Sequence, residues 1–242
     1  MAEIFGRLAA LILSGVILGQ EEKGPPPPPT PPKEEKAADG GRLEEVLRAL
    51  DGKQKGLRDL EAAFEQRQES HLLAEPDVSK GKVIYREGRL RMEWTEPKRV
   101  VLIVDKNGIV QYFPEERRAE RMEAKTAMDV GSLFPGFGQP ADEMRKTYEI
   151  RLLPEEKGKK EWTLELVPRR ERMRRLMEKI TLRIDPVEGV PVGLRIDDPN
   201  GKDRTEIELT DRKVNRGIPE ERLALDLPEG TKIVTVKGGL PF

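Results

Sequence analysis

The stretch Gly81–Pro114 constrains the fold more than any other part of the sequence. Within it, Leu90, Met92 and Trp94 alternate with charged residues. A period of two places alternate side chains on opposite sides of an extended chain. The pattern therefore predicts a β-strand with one apolar face and one face in water.

A second strand pair is predicted directly after this strand. Val100–Val104 is a continuous apolar run, and it is followed by Asn107-Gly108, the strongest hairpin signal that a short sequence can carry. Ile109–Phe113 then returns antiparallel. So many strands within so few residues leave no room for crossover helices, so the stretch predicts an antiparallel meander.

The same alternation continues to the end of the chain. Apolar residues at alternate positions predict strands at 148–152, 162–166, 180–184, 192–196, 207–209, 223–227 and 233–236. About ten strands joined by short turns indicate a mainly β fold with covering helices, in which a single curved antiparallel sheet forms an unclosed β-barrel.

Composition excludes several classes of function. The formal net charge is −1, so no overall field favours nucleic acid as a partner. The chain has no cysteine, which excludes disulfides, thiol nucleophiles and cysteine-based metal sites. Apolar residues make up only 36% of the sequence, so the core has to come from strands that are apolar on one side.

The first 41 residues are predicted to lie outside the folded domain, which we assign to 42–242. In residues 1–24, the apolar run Leu8–Leu18 is too short to span a bilayer, which takes about 20 residues, and it fits a secretory signal peptide. An uncleaved membrane anchor is the alternative. Residues 25–41 begin with five prolines and are predicted to be a disordered linker.

Two helices are predicted before the meander, at 43–50 and 57–72, with a break near Asp51-Gly52. In the second, Leu57, Leu60 and Phe64 recur at helical spacing. Residues 115–125 are compatible with either a strand or a helix. The segment 128–145 is apolar but interrupted by glycine and proline, which suggests short helical turns.

No catalytic or metal-binding constellation is recognisable. His71 is the only histidine and has no second histidine with which to form a metal site, and adjacent carboxylates are expected by chance in so acidic a chain. The segment Pro168–Arg175 contains five arginines. This cluster could contact anionic lipid headgroups or an acidic partner, or it could be a solvated loop. We expect no enzyme activity, no cofactor and no bound metal.

From about Gly56 to Val236 the sequence resembles the periplasmic outer-membrane lipoprotein carrier family (LolA-like). The resemblance lies in the order and spacing of short motifs. These are Phe64-Glu65-Gln66, Gly81–Val83, the block Arg86–Glu93, Pro97, the hairpin Asp105–Pro114, the hairpin Asp198–Gly201, Asn215–Ile218 and Leu227–Thr231. The block departs from the family pattern at Glu87, where the family has proline.

The resemblance implies an apolar cavity for acyl chains beneath a helical lid. The candidate cavity residues are Leu60, Phe64, Leu90, Met92, Trp94, Ile103, Leu133, Phe134, Phe137, Trp162 and Leu164. The candidate lid elements are the helix 57–72 and the segment 130–145. Arg86 matches a family arginine proposed to hold the lid shut. Strand parity, however, places Arg86 on the side of Ile84 and opposite Tyr85, so a solvated surface arginine is the alternative.

The implied function is an exported, periplasmic, non-catalytic carrier or chaperone. Its partners would be acylated lipoproteins or lipids, an inner-membrane donor complex and an outer-membrane acceptor, and we expect it to be a monomer. If the N-terminal segment is not cleaved, the carrier would be tethered. The alternative is a sensor or regulator that uses the same cavity to detect lipoproteins and bind a partner protein.

Overall fold

A computed structural model describes residues 33–123 and 134–236 of the protein. In these parts of the chain, twelve strands form one sheet, accompanied by three α-helices and one 3-10 turn. The helices are α1 (Lys33–Gln54), α2 (Ala141–Thr147) and α3 (Glu171–Arg174), and the 3-10 turn is Glu220–Leu223. The strands are β1 (Asp59–Glu69), β2 (Asp77–Arg86), β3 (Arg89–Glu96), β4 (Val100–Asp105), β5 (Gly108–Phe113), β6 (Arg118–Glu123), β7 (Tyr148–Leu152), β8 (Trp162–Pro168), β9 (Lys179–Ile184), β10 (Pro191–Asp197), β11 (Arg204–Val214) and β12 (Lys232–Thr235).

The strand order is β12-β6-β5-β4-β3-β2-β1-β11-β10-β9-β8-β7. β1 and β11 lie side by side in the middle, and they join a meander of β1–β6 to a second meander of β7–β11. Within the described residues, β12 and β7 are the outer strands and do not pair with each other, so the sheet is not closed. This confirms the predicted fold class.

The strands of the opening meander are confirmed. β3 buries Leu90, Met92 and Trp94 and leaves the residues between them partly exposed. β4 and β5 pair antiparallel across the predicted hairpin, where the Asn107 backbone N–H donates to Asp105 Oδ1 at 2.8 Å. The ambiguous stretch after this hairpin is strand β6.

The predicted helix at 57–72 is wrong, because this part of the chain contains strand β1. Leu60, Ala62 and Phe64 are buried at alternate positions, and β1 pairs along its length with both β2 and β11. Buried Gln66 and Gln68 continue the inward-facing side. Because these two residues are polar, they conceal the period of two, whereas the spacing of Leu57, Leu60 and Phe64 happens to match a helix.

Helix α1 is longer than predicted at both ends. It begins at Lys33, inside the segment predicted to be a linker, and continues through Asp51 and Gly52 to Gln54. A glycine inside a helix costs about 1 kcal/mol relative to alanine. Burial of Val46, Leu47 and Leu50 against the sheet is large enough to offset that cost. The predicted signal peptide and the proline run both lie in residues 1–32, outside the described residues.

The sheet buries apolar side chains on both of its faces. The concave face carries the large core cluster, which includes residues of α1 and α2. The convex face carries Val101, Ile103, Tyr112 and Ala119, which Leu225 and Leu227 cover. These two leucines lie in an extended segment, residues 215–231, that we call the strap. They were predicted to lie in a strand, but their side chains pack on the sheet instead of extending it.

The strap also explains the one parallel pairing. It leads the chain from β11 across the convex face to the far edge, where β12 pairs parallel to β6, with Lys232 opposite Arg118. Among the strands that the structure describes, the other neighbouring pairs are antiparallel, as predicted.

Phe64, Gly81 and Trp94 form one row across strands β1, β2 and β3. The aromatic rings meet edge to face over the glycine, with ring centroids 5.4 Å apart. A Cβ atom at residue 81 would lie 2.5 Å from Phe64 Cζ and would also collide with the Glu93 carbonyl oxygen. The aromatic pair therefore requires glycine at position 81.

We expect Gly81→Ala to lower the free energy of unfolding by about 1–3 kcal/mol, because the new methyl group separates the two rings and displaces β3. Urea denaturation measures this change. Gly52→Ala is the control, since a Cβ atom there meets nothing within 4 Å and the residue lies in α1. That substitution should stabilise the protein by up to about 1 kcal/mol. Equal stability of Gly81→Ala and the wild type would contradict the steric argument.

Candidate functional site

The concave face of the sheet is a continuous apolar surface. Alternation along each strand directs every second side chain to this face. The strands contribute Leu60, Phe64, Val83, Tyr85, Leu90, Met92, Trp94, Leu102, Val104, Ile150, Leu164, Leu166, Ile180, Leu182, Ile184, Ile207 and Leu209, all of them buried. Such a surface can bind an apolar ligand by removing it from water, and this binding needs no hydrogen bonds between the two.

The predicted cavity residues fall into three groups. Those that the structure brings together in the concave cluster are Leu60, Phe64, Leu90, Met92, Trp94 and Leu164, with Phe134, Phe137 and Trp162 partly buried against it. Ile103 belongs to the convex cluster instead, because it alternates with concave-facing Leu102 and Val104. Leu133 lies outside the described residues.

Three elements cover the concave face, and we call them together the lid: helix α1, residues 134–140 and helix α2. Helix α1 packs Val46, Leu47 and Leu50 against the sheet, and α2 contributes Ala141 and Met144. Of the two predicted lid elements, the helix at 57–72 is replaced by α1. The described part of segment 130–145 does lie over the concave face.

The segment 134–140 is held close to the sheet by two contacts with Tyr85. The Phe137 and Tyr85 rings lie 6.0 Å apart between centroids. Gly138 has a positive φ of 72°, and the Tyr85 hydroxyl occupies the space that a side chain at 138 would need. Burial raises the pKa of Tyr85 above its usual value.

Gln54, the last residue of α1, makes the most extensive polar contacts within the lid. Its buried amide donates from Nε2 to the carbonyl oxygens of Gly136, at 2.9 Å, and Gly189. Its Oε1 accepts from the backbone N–H of Gly138. One side chain thus joins α1 to segment 134–140 and to the turn between β9 and β10.

Sequence reasoning missed Gln54, although a signal was present. Gln54 follows Leu47 and Leu50 at helical spacing, so it is a polar residue on the apolar side of α1. A buried amide needs hydrogen-bond partners. Those partners come from distant parts of the chain and are visible only in the folded structure.

Two further contacts join α1 to α2. Asp51 Oδ1 accepts from the backbone N–H of Ala141 at 2.7 Å, at the first turn of α2. Glu44 forms an ion pair with Arg145 in the last turn. The two helices therefore run antiparallel and are connected at both ends of α2.

Arg86 does not contact the lid in this structure. It lies on the convex side, where its guanidinium donates to the carbonyl oxygen of Ile218 in the strap. Ile84, two residues earlier, packs there against Ile218 and Leu223. Strand parity had indicated this side. The observed contact makes Arg86 an attachment point of the strap, and Gln54 takes the position expected of a residue that closes the lid.

Arg86 is one of four arginines that attach the strap. Arg91 donates to the carbonyl oxygen of Ala224, Arg89 pairs with Glu220, and Arg222 pairs with Glu61 at 2.8 Å. The hydrogen bond and charge of Arg222 lower the pKa of Glu61. The convex cover is thus attached by several charged contacts. The lid combines charged contacts, such as Glu44 with Arg145 and Arg42 with Glu155, with the neutral amide of Gln54.

His71 forms a pair with Asp203 between the end of β1 and the β10–β11 hairpin. Asp203 accepts hydrogen bonds at 2.8 Å from both the backbone N–H and the Nδ1 of His71. In the described parts of the chain, no group of three or more histidine, aspartate or glutamate side chains is arranged to hold a metal ion. No helix among the residues that the structure describes is long and apolar enough to cross a membrane.

Comparison with known proteins places this geometry in a family. The family model for the outer membrane lipoprotein carrier protein LolA matches residues 55–222. The search of curated proteins found no match to the sequence.

Several solved structures are similar to this chain at low sequence identity. An uncharacterized conserved protein from Thermus thermophilus aligns with a TM-score of 0.53 and 12% identity, covering 80% of this chain and 99% of that one. A putative outer membrane lipoprotein-sorting protein domain from Vibrio parahaemolyticus gives a TM-score of 0.43 and 14% identity, with 74% and 94% covered. A LolA superfamily protein from Nitrosomonas europaea gives 0.41 and 12%, with 76% and 97% covered.

The His71–Asp203 contact predicts a loss of stability in acid. Burial acts to raise the pKa of Asp203, but hydrogen bonds from His71 and Asn200 outweigh it and hold the pKa well below its usual value. A depressed carboxyl pKa stabilises the folded state above the unfolded pKa of about 4, and this contribution disappears as the pH falls below it. The urea midpoints of the wild type and Asp203→Asn should therefore differ at neutral pH and converge in acid.

The exposed strap residue Asp226 provides the control for this measurement, and Asp226→Asn should leave the urea midpoint at neutral pH close to that of the wild type. A gap between wild type and Asp203→Asn that stays constant into acid would show that the carboxylate charge is not what stabilises the hairpin.

Proposed function

Because the chain belongs to the outer membrane lipoprotein carrier protein family, we propose that it is an exported, non-catalytic carrier for acylated lipoproteins or lipids. It would hold their acyl chains on the concave face and deliver them towards the outer membrane. The family model covers well over half of the chain, including β1 to β11. The observation that carries the proposal is an apolar concave face covered by a lid, in which Gln54 joins α1 to segment 134–140 and to the turn between β9 and β10.

Burial energy supports a carrier that works without chemistry. Each methylene group removed from water contributes about 0.8 kcal/mol, so an acyl chain of about 15 methylenes represents roughly 12 kcal/mol before other costs. The concave face supplies the apolar contacts. It does so with aliphatic and methionine side chains more than with aromatic rings, which suits a flexible hydrocarbon chain.

Release requires competition for the same surface. In this structure Val46, Leu47 and Leu50 of α1 already occupy the concave face. An incoming acyl chain would have to displace them, and their return would help to expel it. The lid then acts as an internal substitute for the cargo, which keeps the apolar face out of water while the carrier is empty.

Gln54 is suited to hold such a lid. Each of its hydrogen bonds contributes about 0.5–1.5 kcal/mol net, since water replaces them when the lid opens. Two of these bonds hold segment 134–140 and the third holds the turn between β9 and β10, and together they do not make the closed state irreversible. The carrier would receive cargo from an inner-membrane donor complex and pass it to an outer-membrane acceptor.

Native mass spectrometry of protein purified from a bacterial periplasm without detergent tests this function. Bound lipid or acylated peptide masses are expected. Transfer of that cargo to acceptor membranes distinguishes a carrier from a lipid-sensing regulator, which would bind cargo and retain it. A ligand-free mass that does not change on addition of acylated lipoprotein would rule out both functions.

We expect Gln54→Leu to open the lid more readily, because the closed state would leave the Gly138 N–H unpaired, at a cost of about 1–3 kcal/mol. Hydrogen exchange at Gly138 and uptake of a fluorescent fatty acid should both become about tenfold faster, which corresponds to about 1.4 kcal/mol.

Two matched variants separate this effect from a general loss of stability. Gln66→Leu removes a buried glutamine that accepts from Trp94 Nε1 at 3.1 Å inside the sheet, and it should leave exchange at Gly138 unchanged. Arg86→Leu loosens the strap on the convex face and should leave fatty-acid uptake unchanged. If Arg86→Leu alters uptake while Gln54→Leu does not, the lid is held by Arg86 instead.

A further inference from the structure

The arginine-rich segment between β8 and β9 forms a fixed, positively charged surface. Arg169, Arg170, Arg174 and Arg175 are all exposed, and we call them together the basic face. Residues 168–175 carry five arginines and one glutamate, a net charge of +4 in a chain whose total is −1. The rest of the chain therefore carries a net charge of −5 (−1 minus +4), so this segment differs in sign from the remainder.

The short helix α3 holds these arginines in place. Met173 is fully buried in the concave core and Met177 is nearly so, which anchors the segment to the sheet. Arg170 and Arg174, four residues apart, are exposed to solvent. The two methionines thus attach the segment to the core, while its arginines are exposed to solvent.

Much of this charge is not neutralised inside the protein. Arg169 Nε donates to the carbonyl oxygens of Arg145, at 2.8 Å, and Tyr148, at 3.1 Å. Arg174 donates to the carbonyl oxygen of Arg169 at 2.6 Å. These acceptors are neutral, so both guanidinium groups keep their full charge. Arg175 has an ion pair with Glu171, but the two side chains are 75% and 78% exposed, so water screens it.

The basic face adjoins the lid. The carbonyl oxygen of Arg145 that Arg169 contacts is in the last turn of α2, and the Arg169 backbone N–H also donates to Thr147 at the end of that helix. Whatever binds the basic face therefore lies next to an element that covers the concave surface.

We propose that the basic face docks the protein on a membrane surface through the phosphate groups of anionic phospholipids. Guanidinium groups match phosphate oxygens in charge and geometry. A specific acidic protein partner would be expected to need an apolar centre to its interface. Of the apolar residues in this segment, Met173 and Met177 are buried and Leu176 is half-buried. This surface therefore presents charged side chains without an exposed apolar residue for a protein partner to bury. Such a surface matches the flat layer of lipid headgroups on a membrane.

Docking would bring the lid against the membrane from which cargo is taken or to which it is given. The role of docking in cargo transfer rests on the proposed carrier function, but the docking itself does not. Each arginine near an anionic bilayer strengthens binding about fivefold, and the attraction weakens as salt is raised.

Vesicle flotation with the full chain tests the proposal. One set of vesicles contains equal parts phosphatidylglycerol and phosphatidylcholine, and the other contains phosphatidylcholine alone. We expect the wild type to bind the anionic vesicles more strongly, and the double variant Arg170→Gln/Arg174→Gln to lose at least about tenfold of that difference. The apolar stretch 8–18 is common to all variants, so the difference between the two vesicle types is the quantity to compare.

The matched control removes two exposed arginines elsewhere, Arg121→Gln/Arg216→Gln, and should keep the preference for anionic vesicles. An equal loss in both double variants, or no anionic preference in the wild type, would overturn the proposal. In the latter case, binding to an acidic protein would become the explanation of the basic face.

A fluorescent fatty-acid uptake assay on the same variants keeps the two proposals apart. Uptake by Arg170→Gln/Arg174→Gln equal to that of the wild type, together with lost docking, would support the basic face as a separate surface. Docking without any fatty-acid uptake in the wild type would contradict the carrier function and leave the docking surface standing.

Discussion

The pairing of β1 with β11 is the constraint on which the rest of the structure depends. These two eleven-residue strands come from opposite ends of the domain, and they join two meanders into one curved sheet. At one end, Asn215 accepts from the backbone N–H groups of Arg58 and Asp59, while the Asp59 carboxylate accepts from Arg216 and Gly217. At the other end, a histidine–aspartate pair connects the same two strands. Without this pairing neither meander has a concave face wide enough for the lid to cover.

A single sheet of this size has two apolar faces to remove from water, and the chain covers them in different ways. The strap closes the convex face with leucine side chains and four arginine contacts, including backbone carbonyl acceptors that cannot move away without unfolding the segment. The lid closes the concave face with helices and the amide of Gln54. In the proposed carrier, the strap would be the permanent cover and the lid the removable one.

Alternation along single strands was enough to predict most of the sheet and part of the site. Leu90, Met92 and Trp94 show the period of two because each inward position is apolar, and parity also indicated that Arg86 lies away from the lid. β1 was missed because its inward side continues into two glutamines, and its environment is set by β11, at the other end of the domain. The periodicity of a short stretch carries no information about a partner strand that is so far away in the sequence. The importance of Gln54 was hidden for the same reason, because it depends on backbone groups in two distant turns.

The chemistry of Gln54 explains how a lid can be both specific and easy to open. Hydrogen bonds impose geometry, so the amide determines which backbone groups α1 meets when it closes. They add little net stability, since the opened amide bonds to water. In the proposed carrier, the apolar side chains of α1 would contribute most of the closing free energy, and an acyl chain would replace that contribution on the concave face. A carrier built in this way would exchange one apolar partner for another at nearly constant free energy, and a small displacement of Gln54 would be enough to begin the exchange.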